Sequence, residues 1–333
     1  MQKAAIVILN YNGEAMLRRF LPSVLKHSTF EVIVADNAST DHSVVFLEQH
    51  FPEVLIISLK ENTGFAGGYN EALKAIRGKY EYYILLNSDV EINTAWDHIL
   101  IDYLDSNPGI VAVQPKITSI QNQGYFDHAG AGGGFLDSLG YPYCRGRIFD
   151  TVEEDLGQYD DVIDVDWTSG ACMAVRSRDF HDFGGFDDRF FAHMEEIDLC
   201  WRFRSAGFGL KYVGTAAVQH LGGATLSRAN PKKTYLNFRN SLLMLHKNLR
   251  GNGFAVKYML RILLDLLAAA VFVLRGQKND AKAIVQAHKD FRRMKKIDFS
   301  NSMALNLPSK SNHKVKSILW HYYIGKKRKF SEI

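Results

Sequence analysis

Four short apolar runs, each cut off by a polar cluster and spaced by helix-length stretches, set what the N-terminal part of this chain can fold into. Residues 4–9 stop at Asn10-Tyr11-Asn12-Gly13, and residues 32–35 at Asp36-Asn37-Ala38-Ser39-Thr40-Asp41. Residues 54–59 stop before Glu61-Asn62-Thr63-Gly64, and residues 82–86 at Asn87-Ser88-Asp89. Between them, Met16, Leu17, Phe20, Leu21, Val24 and Leu25 line one face of a helix. A second helix is expected from His42, with cap candidates in front, and a third over residues 68–76. Short, continuously apolar runs suit strands buried on both faces. Their alternation with helices predicts an α/β fold with a doubly wound, mostly parallel sheet and right-handed crossovers.

Such sheets bind ligands at the carboxyl ends of their strands. Four polar strand ends on one edge therefore predict a crevice lined by Asn10, Asn12, Asp36, Asn62, Asn87, Ser88 and Asp89. Asp89 and Asn87, two residues apart, could hold a hard cation that keeps water and phosphate in its shell. An aspartate such as Asp36 can accept the imide N–H of uracil or thymine, or an N–H of guanine; it also suits a helix-capping turn. The run Gly64-Phe65-Ala66-Gly67-Gly68 lets backbone approach a phosphate, with Gly67 at its centre. It lacks the G-x-G-x-x-G spacing, which disfavours a nicotinamide cofactor.

A second cluster lies in His193-Met194-Glu195-Glu196-Ile197-Asp198-Leu199-Cys200-Trp201-Arg202. Three carboxylates within four residues repel unless a partner, a metal or a function keeps them together. Asp198 and Arg202, four apart, are expected to pair on a helix over residues 196–206. Glu195 and Glu196 stand at that helix's start, where the dipole favours their charged form and suits a general base; an acidic helix start alone would look the same. His220 ends a strand over residues 210–220, just before Gly222-Gly223-Ala224-Thr225, and with Asp89 could complete a metal site. Residues 118–165, rich in glycine and tyrosine, read as a long irregular excursion.

The chain of 333 residues has 47% hydrophobic and 23% charged residues, an ordinary globular composition with material for a real core. Cys144, Cys172 and Cys200 are odd in number and form no CxxC pair, against a disulfide framework or zinc site and in keeping with a reducing cytoplasm. The N-terminus runs directly into a strand and is too short for a signal peptide. The net charge of +4 conceals an asymmetry: from Pro231 on there are 22 Lys/Arg against 5 Asp/Glu, while residues 1–230 hold 18 against 31. A basic end on an acidic body is expected to meet something anionic. The apolar run 261–275, flanked by Lys257 and Lys278, suits either a membrane interface or a helix packed in the core, and is too short for a confident span. Arg292-Arg293-Met294-Lys295-Lys296 and Lys326-Lys327-Arg328-Lys329 would attract anionic lipid.

Five motifs in one order resemble family 2 inverting glycosyltransferases of the rhamnosyltransferase-like branch. They are Ile8-Leu9-Asn10-Tyr11-Asn12, Val34-Ala35-Asp36-Asn37, Asn62-Thr63-Gly64-Phe65-Ala66-Gly67-Gly68, Leu86-Asn87-Ser88-Asp89 and Glu195-Glu196-Ile197-Asp198-Leu199. The resemblance covers roughly residues 4–246 and implies a GT-A fold with a nucleotide-binding half at about 1–115 and an acceptor half at about 116–230, followed by a basic helical extension at 231–333. It implies that Asp36 contacts the base and that Asn10 and Asn62 line the nucleotide pocket. Asp89 would bridge Mg2+ or Mn2+ to the diphosphate, with His220 as a further ligand. Glu196 matches the catalytic carboxylate, although the family's usual residue there is Asp, so base duty falls on Glu195 or Glu196. Asn87 stands where the D-x-D motif has its first Asp. Trp167, Thr168, Ser169 and Gly170, which precede the acidic cluster, are candidates for the floor of the donor sugar or for plain core. The processive Q-x-x-R-W motif is absent, so single addition is expected.

The implied partners are a dTDP- or UDP-sugar, a glycan or lipid-linked acceptor and an anionic membrane surface at the inner face of the cytoplasmic membrane, with no nucleic acid. The competing functions are a nucleotidyltransferase that makes the sugar nucleotide and a non-catalytic sugar- or nucleic-acid-binding protein. The first wants a glycine-rich, Arg/Lys-bearing loop after the first strand, which Asn10-Tyr11-Asn12-Gly13 lacks.

Overall fold

In the computed structural model, which describes residues 1–222, 230–249, 252–295 and 315–333, the four N-terminal runs are strands β1 (Gln2–Asn10), β2 (Glu31–Asp36), β3 (Leu55–Ser58) and β4 (Tyr80–Asn87). They pair in parallel in the order β4-β1-β2-β3. Alternate residues enter opposite apolar layers: Val7, Ile33 and Tyr83 on one side, Ile6, Val34 and Ile84 on the other. Helices α1 (Glu14–His27), α2 (Ser43–His50) and α3 (Gly64–Ala75) make the crossovers. Leu17 and Leu21 of α1 cover one layer, Tyr69 and Leu73 of α3 the other. Burial on both faces is why β1, β2 and β4 read as continuous apolar runs; β3, at the sheet edge, is only partly buried.

Beyond β4 the chain forms β5 (Val90–Glu91), helix α4 (Asp97–Ser106) and β6 (Ile110–Ser119). Residues 118–165 correct the expectation of irregular structure. They hold an antiparallel sheet of β7 (Gly134–Leu136), β8 (Pro142–Cys144), β9 (Arg147–Ile148) and β10 (Thr151–Val152). Phe135, Tyr143, Cys144 and Ile148 bury its inner side. Strands of two or three residues, turned at Gly140 and Gly146 in the left-handed region, have no period to read.

The main sheet is completed by β11 (Val162–Asp164), β12 (Cys172–Arg176) and β13 (Gly209–His220). β12 runs antiparallel between β4 and β6, and β13 runs parallel to β6. The reversal matters. It brings the residues before β12 to the polar end of β4, where the Asn87 N–H donates to Ala171 O at 3.0 Å. Trp167, Thr168 and Ser169 are buried, with the Trp167 indole donating to Phe135 O, and Gly170 is half-buried. Cys144, Cys172 and Cys200 are free and buried, and burial pushes each thiol well up from its usual range.

Helix α5 (Ser177–Asp182) leads to α6 (Glu195–Ser205), and the basic region folds as α7 (Pro231–Asn248), α8 (Asn252–Leu274) and α9 (Lys278–Met294). Among the described residues no helix is long and apolar enough to cross a membrane. The apolar run expected at 261–275 lies in α8 as far as Leu274, and Arg261 and Asp265 turn inward while Arg275 is exposed. Arg261 donates to Ser241 Oγ at 2.9 Å, while Asp265 accepts from Tyr141 at 3.2 Å and faces His288 at 2.9 Å. Most of its leucines and its Met259 stay exposed, so α8 is no buried core helix. Residues 223–225 and Lys296 lie outside the described residues.

Candidate active site

The ends of β1 and β2 are tied into one unit. Asn10 and Asp36 are register partners, and Asn10 Nδ2 donates to Asp36 Oδ1 at 3.0 Å and to Ser39 Oγ at 3.2 Å. Asp36 Oδ2 accepts the Ser39 N–H at 2.9 Å. Asn12, with φ of 49°, takes the Thr40 N–H on Oδ1 at 2.7 Å and gives its own N–H to Ser39 Oγ. Asn37 extends the network by donating to Asn62 Oδ1 at 3.1 Å and to Gly64 O at 2.9 Å. Asn10 Oδ1 is buried without a hydrogen-bond partner. The sequence-derived set Asn10, Asn12, Asp36 and Asn62 is thus contiguous.

The glycine-rich run behaves differently from expectation. The N–H groups of Phe65 and Ala66 donate to Phe191 O at 2.6 and 3.1 Å, so a carbonyl closes the α3 N-terminus where a phosphate was expected. A Cβ on Gly64, whose φ is 78°, would strike that same carbonyl. Gly67 lies inside α3 with Thr63 packed where its side chain would be.

At the end of β4, Asp89 Oδ1 lies 3.1 Å from His220 Nε2, and Asn87 Nδ2 lies 3.3 Å from the same nitrogen. Asp127 Oδ1 holds the other ring nitrogen, Nδ1, at 2.8 Å. Burial alone would lower the His220 pKa; the two carboxylates outweigh it and push it up to about 10. Asp127 had no sequence signal, since it falls in the excursion whose folding the sequence hides. Among the described residues no group of three or more His, Cys, Asp and Glu side chains forms a ready cation cage. Asp89 with His220 therefore offers two donors, and Ser88 stands between the two residues that face the imidazole.

The carboxylates of α6 follow a strained loop. Phe191, His193 and Met194 all have φ between 63° and 75°, a conformation that costs non-glycine residues of order 1–3 kcal/mol each. Helix α7 holds this loop. Asn240 Nδ2 faces the carbonyls of Phe190, Ala192 and His193 at 2.7–2.8 Å, and Arg239 donates to those of Arg189 and Phe190 at 2.9 Å. Deeper in α6, Asp198 pairs with Arg202 at 3.0 Å, as expected, and also with Lys247 of α7 at 2.8 Å. Lys247 reaches Asp187 at 2.9 Å as well. Asp198 and Arg202 thereby anchor α6 to α7 and to the carbonyls of Phe183 and Gly185.

Glu195 is buried and Glu196 half-buried, and Oε2 of each lacks a hydrogen-bond partner. Burial raises both pKa values. For Glu195, the neighbouring Glu196 adds to the rise. For Glu196, backbone amides including those of Ile197 and Gly170 oppose it. A Cβ on Gly170 would lie 3.9 Å from the Glu196 carboxyl carbon. Gly170 precedes Ala171, which binds Asn87, so Glu196 stands at the same sheet edge as Asn87-Ser88-Asp89.

Residues 5–160 match the profile of Glycosyl transferase family 2. An N-acetylglucosaminyl-diphospho-decaprenol L-rhamnosyltransferase of Mycobacterium tuberculosis is 27% identical over 253 residues, covering 69% of this chain and 82% of the relative. TarS 1-349 of S. aureus in complex with UDP-GlcNAc superposes with a TM-score of 0.56 at 17% identity, over 87% of this chain and 80% of that one. The mannosyltransferase PcManGT from Pyrobaculum calidifontis, in complex with GDP-Man and Mn2+, gives a TM-score of 0.52 at 12% identity, over 87% of each chain. These solved structures share this chain's GT-A fold.

Proposed function

We propose that the chain is a family 2 glycosyltransferase of the rhamnosyltransferase-like type and that it adds one sugar, with inversion, to a hydroxyl of a lipid-linked glycan. The donor is a nucleoside-diphosphate sugar, and the product feeds cell-surface polysaccharide or glycolipid assembly. The named acceptor of the mycobacterial relative and the nucleotide sugars bound to the two structural neighbours support this reading. The observation that carries it is the convergence of Glu196 and Asp89 on one sheet edge, beside the Asn10–Asp36 network.

In this reading Asn10, Asn12, Asp36 and Asn62 receive the nucleoside. Asp36 keeps acceptor capacity for a base N–H beyond its internal bonds, which suits uracil, thymine or guanine alike. Asp89 and His220 fit a divalent cation, Mg2+ or Mn2+, that would take the place of the imidazole proton facing Asp89: a carboxylate and an imidazole nitrogen whose far ring nitrogen is held by Asp127, the usual support of a histidine ligand. Two protein donors leave room for phosphate oxygens and water. When bound, the cation supplies positive charge against the departing diphosphate. Asn87 orients His220 and is no ligand.

Glu196 is the base. The backbone amides at its carboxyl favour its ionised form, while Glu195, deeper and repelled by Glu196, keeps its proton. The Glu196 carboxylate takes the acceptor hydroxyl proton as that oxygen attacks the anomeric carbon. The bond from that carbon to the diphosphate oxygen breaks on the opposite face, and the configuration inverts. The work is done in the cytoplasm at the inner face of the membrane, where a lipid-linked acceptor presents its head.

Equilibrium binding of UDP, dTDP and GDP with and without Mn2+ tests the donor side. Tight binding should need both the metal and Asp89, and binding indifferent to Asp89→Ala would reject the metal reading. Glu196→Gln should lower turnover by on the order of a thousandfold while donor affinity stays the same; unchanged turnover would move the base elsewhere.

A further inference from the structure

Helix α8 is amphipathic the wrong way round for a protein in water. Its charged residues Arg261 and Asp265 are each 1% exposed, whereas Leu263 is 63% and Leu267 61% exposed. The exposed apolar positions recur with each turn: Val256, Met259, Leu263, Leu266, Leu267 and Leu274 form one stripe along the helix. A contiguous apolar stripe of this length marks an interaction surface. Close to its C-terminal end stand Trp320, Tyr323 and Ile324, also exposed, on a π-helical turn (Trp320–Ile324) whose Tyr323 is near both Arg275 and Arg328. Trp and Tyr beside an apolar stripe suit the headgroup level of a bilayer. Arg275 and Lys278, just past the end of α8, and Lys326 beside the π-helical turn, are exposed and basic.

We infer that the outer face of α8, with Trp320, Tyr323 and Ile324, docks on an anionic lipid bilayer, the helix lying in the plane of the interface. Charge selects this occupant over a second copy of the chain. A symmetric α8–α8 contact would press together two regions that each carry 22 basic against 5 acidic residues from Pro231 on. Anionic headgroups instead neutralise the exposed basic residues while the acyl boundary covers the leucines. The helix lies on the membrane and does not span it, since its inner side is tied to Ser241, Tyr141 and His288. The purpose of docking rests on the proposed lipid-linked acceptor; the docking itself does not.

The test uses the full chain, without donor or acceptor, co-sedimented with vesicles of phosphatidylcholine alone or with about one third phosphatidylglycerol. Binding should be about tenfold or more tighter to the anionic vesicles. The double variant Leu263→Asp/Leu267→Asp should lose that binding while still binding nucleoside diphosphate. If that variant fails to fold, Arg275→Glu/Lys278→Glu should weaken binding severalfold. The inference is overturned if the unaltered chain stays in the supernatant with anionic vesicles, if the folded variants sediment as it does, or if they merely split a dimer that ignores lipid. Failure of nucleotide binding would sink the proposed donor chemistry and leave this result standing.

Discussion

Helices α7 and α8 follow one another in a single basic stretch of chain, yet they use their polar residues in opposite ways. α7 turns Arg239, Asn240 and Lys247 onto the loop and helix that carry Glu195 and Glu196. α8 turns Arg261 and Asp265 inward only to fasten itself, and leaves its leucines outside. One helix is part of the chemistry's scaffold; the other is a face for a different solvent. Composition cannot separate them. Only the direction of each side chain does.

Four experiments would break or sharpen this contrast. The largest effect is expected from Lys247→Met, which strips a cation from two buried carboxylates, Asp187 and Asp198. Breaking a buried pair on one side costs about 3–5 kcal/mol, read as a shift in urea midpoint; a cost below about 1 kcal/mol would make α7 an ordinary surface helix. Next is Asn240→Leu. The carbonyls of Ala192 and His193 lose this amide while Phe190 O keeps Arg239, and stability should fall by about 1–3 kcal/mol. Turnover should fall more than donor affinity, because the displaced group is the base.

Acidification gives a graded effect. Burial alone would raise the Asp198 carboxyl, but Arg202 and Lys247 outweigh it and hold it below the usual range. Asp187 is likewise held low against its burial, by Arg189 and Lys247. Folded values below the unfolded ones mean that the unfolded chain binds protons first. Their stabilisation is therefore complete above the ordinary aspartate range and is lost as pH falls below about 5. The urea midpoint should decline there, and Lys247→Met should flatten the decline. Turnover should fail at higher pH than this, since burial raises the Glu196 carboxyl and protonation disables it. The smallest effect belongs to α8: Leu263→Asp should change stability in water by no more than about 0.5 kcal/mol, and a large loss would mean that the leucines are core after all.

The parallel half of the fold was legible because β1, β2 and β4 are largely buried on both faces and all four strands end at a polar cluster. Asn10, Asp36 and Asp89 could be read as neighbours for that reason, since parallel strands align their ends. The run 118–165 was illegible because its strands are too short to show a period, and Asp127 was hidden with it. Asn240 escaped for another reason. Its partners are backbone carbonyls fifty residues or so upstream (three of them within residues 190–193), and no spacing rule reaches that far. An Arg239-Asn240 pair inside a helix was the available hint, asparagine being a poor helix former. The glycine-rich run misled because Gly64 serves a protein carbonyl, a contact that a local motif cannot distinguish from a phosphate.

The three cysteines carry a practical consequence. All are buried, with thiols held protonated by their apolar surroundings, so the folded chain offers nothing to a maleimide reagent. One cysteine introduced at Ala270, on the outer side of α8, would then be the sole site of labelling. A fluorophore there would report immersion depth directly, and loss of its selectivity would signal unfolding in the same experiment.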